Sequence, residues 1–67
     1  MTLPLERTRS IRYTREFLYL LLDPKQTPRV PRPIRRMALD CLRHYPNYAD
    51  LQVSARRTPE VWGWPEK

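Results

Sequence analysis

The sequence predicts an all-α fold: a small three-helix domain with an antiparallel hairpin of helices one and two, a proline-rich linker and a Trp-containing C-terminal tail. Three observations lead there. Apolar residues recur at i, i+3 and i+4 through two long stretches, the spacing that lines one side of a helix. Prolines stand at the starts of those stretches or between them, where they begin and end helices without breaking them. No run alternates apolar with polar residues as a half-buried strand would, and no segment repeats.

The first helix is expected over about residues 3–22, with Thr2 as N-cap and Pro4 tolerated in the first turn. At about 100° per residue, Ile11, Thr14, Phe17, Leu18, Leu21 and Leu22 share one face, while Arg9, Arg12 and Arg15 fall opposite with Thr8, Glu16 and Tyr19. Asp23-Pro24 ends the helix, because a residue before proline is pushed out of the helical region. The segment "DPKQTPRVPR", residues 23–32, holds three of the eight prolines and predicts a stiff, extended linker. Helix two is expected over residues 33–45, with Ile34, Met37, Ala38, Cys41, Leu42 and Tyr45 inward and Arg36, Asp40 and Arg43 outward. "YPN" breaks it. Asn47 then caps a third helix, residues 48–57, whose inner face is Tyr48, Leu51 and Ala55. Thr58-Pro59 can cap a last turn ending at Gly63, and residues 62–67 form a tail after a helical domain over 1–61.

Size and charge narrow the function. A chain of 67 residues is one domain at most, and at that length only about 60% of the unfolded surface is buried, so the core is small. The lone Cys41 forms no internal disulfide, and one His with one Cys is a poor metal set. Good helix packing or self-association as a homodimer remains to supply stability. Lys and Arg number 13 against 7 Asp and Glu, for a net charge of +6 and an isoelectric point near 10.3. Eleven of the cations are Arg, whose planar fork suits phosphate, although a GC-rich genome would also favour Arg and Pro. The longest apolar run, Phe17 to Leu22, is six residues, too short for a signal core or a spanning helix. A cytoplasmic protein without membrane insertion is expected.

The arginines are the leading candidate site. Arg12 and Arg15 are accounted for as a solvated face, but Arg7 and Arg9 lie near a helix N-terminus, where a cation opposes the macrodipole. The same misplacement recurs at helix two, where Arg29, Arg32, Arg35 and Arg36 surround the start. Arginines around free backbone N–H groups make an anion site. The bland alternative is neutralisation of that cluster by Asp23 across the hairpin. A helix-turn-helix is a poor match, since the turn lacks glycine and the first turn of helix three carries Asp50 instead of a base-reading side chain. Trp62 and Trp64 either close over the small core or present an anchor to a protein partner. His44 supports the end of helix two, Cys41 packs on an apolar face, and "PRVP" at residues 28–31 is a stiff linker. No glycine-rich phosphate loop, acid/base pair or activated nucleophile is present, so no catalytic residue, metal or cofactor is expected.

The stretches "ERTR", "YTREFL", "DPKQTPRVPRPIRR" and "LRHYP" together resemble a family of short, uncharacterised bacterial proteins. Its members share an arginine-rich first helix ending in leucines, a proline-containing linker and a second helix closing in "RHYP". The resemblance covers about residues 6–50 and implies no activity, because none is established for the family. The expectation from the residues themselves is a non-enzymatic, basic binding or regulatory protein that contacts nucleic acid or another polyanion through Arg9, Arg12, Arg15, Arg29, Arg32, Arg35 and Arg36. The alternative is a regulator or adaptor that docks an acidic or apolar protein surface through its tryptophan tail and apolar helix surface.

Overall fold

Three helices form in the computed structural model, which describes residues 2–65: α1 (Pro4–Leu22), α2 (Arg32–Leu42) and α3 (Tyr48–Arg57). The described residues contain no strand, as the periodicity predicts. The chain divides into two compact units, Met1–Tyr13 with Pro46–Lys67, and Thr14–Tyr45, and α1 runs through both.

The start of α1 corrects the expected cap. Pro4 is the first helical residue, and the Leu3 carbonyl accepts the first intrahelical bond, from Arg7 N–H at 3.1 Å. Leu3, not Thr2, is therefore the N-cap. Having no side-chain oxygen, Leu3 is served from the other direction, its N–H donating to Glu6 Oε1 at 2.8 Å. This is one half of a capping box.

In the first unit the chain after α3 returns to this same turn. Thr58 closes α3 by donating both its N–H and its hydroxyl to the Ser54 carbonyl, at 2.8 and 2.7 Å. Val61 and Trp62 N–H then donate to Thr58 O, making the tight turn predicted there. Gly63 N–H follows by donating to Pro4 O at 3.0 Å. The Thr8 hydroxyl donates to Gly63 O at 2.8 Å, and Thr8 is only 3% exposed. Leu51, Ala55 and Pro65 are buried in this unit and Tyr48 is half-buried. Asn47 and Asp50 cap α3 reciprocally: Asp50 N–H donates to Asn47 Oδ1 at 2.9 Å and Asn47 N–H to Asp50 Oδ2 at 3.0 Å.

The second unit is the hairpin of the C-terminal half of α1 with α2. Its linker is not extended. Lys25 N–H donates to Asp23 Oδ1 at 2.9 Å and Thr27 N–H to Asp23 O at 2.9 Å. The aspartate winds the chain into turns over residues 24–29, because a short carboxylate competes locally for backbone donors. α2 starts one residue before the predicted Pro33 and ends at Leu42, three short of Tyr45. Pro46 drives Tyr45 from the helical region, and the last bonds tighten to Arg43 N–H with Asp40 O and Tyr45 N–H with Leu42 O, both 3.3 Å.

Both helices of the hairpin are rotated from the expected faces. On α1, Leu18, Leu21, Leu22 and Arg15 are half-buried while Phe17 and Thr14 are exposed. On α2, Ala38 is buried, Leu42 and Arg35 are half-buried, and Ile34, Met37 and Cys41 are exposed. The rotation is about 35° on α1 and about 60° on α2, at 100° per residue. Long arginine stems make it tolerable, since their methylenes cover apolar neighbours while the charged head reaches water or a polar partner.

Candidate polyanion-binding surface

Arg35 does not belong to the anion cluster predicted for it. Its guanidinium turns inward, where Nη1 donates to Leu21 O at 2.6 Å and Nη2 donates to Thr27 O. The last turn of α1 carries no cation of its own, and its final carbonyls have no helical partner. Arg35 places a positive charge there and satisfies one carbonyl, while the Thr27 hydroxyl donates to Leu20 O at 2.6 Å. It is a cap for α1 supplied from α2.

The backbone donors expected beside the cluster are also largely used. Pro33 has no N–H, and Ile34 and Arg35 N–H both donate to Pro31 O, at 3.1 and 3.2 Å. In the first turn of α2 only Arg32 N–H remains available. The start of α2 is thus no N–H cradle, and any anion binding there rests on side chains.

Of those side chains, Arg32 and Arg36 lie on one side of the hairpin. Burial centres on Leu18 and Leu22 in α1 and on Ala38 and Leu42 in α2. On α2, Arg32, Arg36 and Arg43 lie about 100–140° from that centre in one sense, and Ile34, Met37 and Cys41 about 60–120° in the other. On α1, Tyr19 lies about a quarter-turn away in the first sense and Phe17 in the second. Antiparallel helices viewed from one end wind in opposite senses. The arginine arc of α2 therefore falls on the same side as Tyr19, and the apolar arc on the same side as Phe17.

The remaining site residues differ in how free they are. Arg29, Arg32 and Arg36 are exposed, and their guanidinium groups make no hydrogen bond or ion pair with another described residue. Arg43 faces Asp40 at 3.4 Å, and such an exposed pair contributes at most about 1 kcal/mol. Arg15 and Arg12 are half-buried, correcting their expected exposure, with guanidinium carbons 5.6 Å from the Tyr19 ring and 5.2 Å from the Tyr13 ring. Arg9 is exposed. Arg7, the other misplaced cation of α1, donates to Val61 O at 3.1 Å and Thr2 O at 2.9 Å, and so has a structural reason to be there. Trp62 is half-buried and Trp64 exposed. Cys41 and His44 are both exposed.

No group of three or more His, Cys, Asp or Glu that could hold a metal ion occurs among the described residues. No helix among them is long and apolar enough to cross a membrane. No family model, curated protein or solved structure matches the chain.

Proposed function

We propose that the protein is a non-enzymatic, basic binding protein that contacts nucleic acid, or a polyanion like it, through Arg29, Arg32 and Arg36. The observation that carries this reading is the contrast within one cluster. Arg35 is held by two carbonyls, whereas its three neighbours are exposed and unengaged. Three exposed cations in a chain of net charge +6 favour an anionic partner, and guanidinium forks pair best with phosphate or carboxylate. Arg15 stacked with Tyr19 extends the surface on α1 with an aromatic face of the kind that suits bases. Arg9 and Arg12 contribute only general positive potential. A cytoplasmic location and kinship with the short bacterial proteins belong to the same proposal.

Contacts of this kind hold phosphates and read no base edges. Binding to mixed-sequence duplex is therefore weakly sequence-dependent and strongest at low salt. Fluorescence-anisotropy titration of labelled duplex and of single-stranded RNA tests this. Saturable binding at low salt that competes with unrelated sequence is expected. Absence of binding to either at low salt would reject the proposal. A second reading, docking to a protein partner through Trp64, would then lead, because that indole is exposed at 52% and exposed tryptophans are frequent anchors in interfaces.

A further inference from the structure

We propose that the apolar side of the hairpin is a self-association surface: Phe17, Ile34, Met37 and Cys41 of one chain meet the same face of a second copy, forming a four-helix assembly. The surface is defined by what it lacks. Lys, Arg, Asp and Glu make up 30% of the chain, yet none falls on this arc of either helix in the Thr14–Tyr45 unit. Met37 is 62% exposed and Phe17 57%, and Ile34 and Cys41 are exposed beside them. A hairpin with one uncovered apolar side lacks the second layer against which helices normally bury a stripe. The described residues bury no large side chain completely, so little of that need is met within the chain.

A second copy is the occupant that charge favours. A nucleic acid, an acidic protein or an anionic membrane would each be drawn by cations bordering the apolar residues, and the exposed arginines of α2 lie on the opposite side. Two identical neutral faces are self-complementary, as a two-fold interface requires. Their union leaves both arginine sides outward, about two helix diameters or ~20 Å apart, beyond a Debye length of about 8 Å at physiological salt. Two chains of net charge +6 can therefore meet there without placing guanidinium against guanidinium. The face is about two helices wide and ~16 Å long, roughly 300 Å² per copy, below the size of stable interfaces and within the weak, transient class. The dimer is accordingly expected to be weak and to form only toward the upper end of the micromolar range. This inference stands independently of polyanion binding.

Sedimentation velocity of the full chain under reducing conditions, from low micromolar to near-millimolar concentration, tests it. Wild type should pass from monomer to dimer across that range. Met37→Glu should remain monomeric at the highest concentration with unchanged circular dichroism, since its side chain already faces water. Leu39→Glu, an equally polar change at an exposed position on the other flank of α2, should dimerise as wild type does. Arg32→Ala with Arg36→Ala should also dimerise normally, separating this surface from the arginine side. A wild type that stays at 8.2 kDa throughout, or a Leu39→Glu protein as monomeric as Met37→Glu, would overturn the proposal.

Discussion

Gly63→Ala is expected to lower the melting temperature by more than about 10 °C, taking about 4–8 °C per kcal/mol for a domain of this size. The glycine is not needed for its backbone angles, since no described residue has positive φ. It is needed for space. A Cβ at position 63 would stand 2.6 Å from Leu5 Cα, 2.8 Å from Leu5 N and 3.1 Å from the Pro4 carbonyl carbon. All three are backbone atoms in the first turn of α1, so no side chain can rotate away. Either the turn or the returning strand of chain must move. Both the Gly63 N–H bond to Pro4 O and the Thr8 hydroxyl bond to Gly63 O depend on that close approach. Overpacking costs about 1–3 kcal/mol, and each weakened hydrogen bond about 0.5–1.5 kcal/mol more. Thermal melts followed by circular dichroism check this, with exposed Glu60→Ala as the control. A Gly63→Ala melt within 2 °C of wild type, far less than 1 kcal/mol by about 4–8 °C per kcal/mol, would deny the approach of residue 63 to α1.

Arg35→Ala is expected to cost about 3 kcal/mol, while Arg36→Ala next to it costs almost nothing. Hydrogen bonds to a charged group contribute about 1.5–3 kcal/mol each, and Arg35 makes such bonds to Leu21 O and Thr27 O. Partial solvent exposure trims that sum toward its lower end. The loss also removes a cation near the negative end of the α1 dipole, worth a further few tenths of a kcal/mol. Arg35→Lys should recover less than half, because an ammonium has no planar fork to span two carbonyls. Urea midpoints compare the three variants. Equal midpoints for Arg35→Ala and Arg36→Ala would mean that the cluster has no structural member.

The helices and their ends were legible where a local signal decides them. Asn47 caps α3 because its side chain and the Asp50 carboxylate need only each other's backbone, three residues apart. Pro24 stops α1 by sterics that operate within one residue, whereas α2 ends at Leu42, four residues before Pro46. What the sequence hides is direction. Apolar residues occupy well over half of the α1 circumference, from Tyr13 and Leu20 round to Leu22, so periodicity alone leaves the buried arc uncertain by the rotation observed. The four arginines around the start of α2 are alike in sequence. Only the docking of α1 decides that Arg35 meets open carbonyls and Arg32 and Arg36 meet water. The closure of Gly63 on Pro4 joins residues 59 apart in sequence, and its one local trace is a sole glycine beside two tryptophans.

In the proposed function the arginines of the linker and α2 form the binding surface, and those of α1 are subordinate. The salt dependence of duplex binding tests it most directly, because the slope of log K against log salt counts neutralised phosphates at about 0.9 each. Arg32→Ala with Arg36→Ala should flatten the slope by about 1.8, two phosphate contacts at that value. Arg12→Ala with Arg15→Ala should flatten it by less than half as much, since both side chains are half-buried against tyrosines. Each double variant must first show wild-type helix content. Equal flattening by the two pairs, or a larger effect from Arg12 and Arg15, would contradict the assignment of the surface to α2.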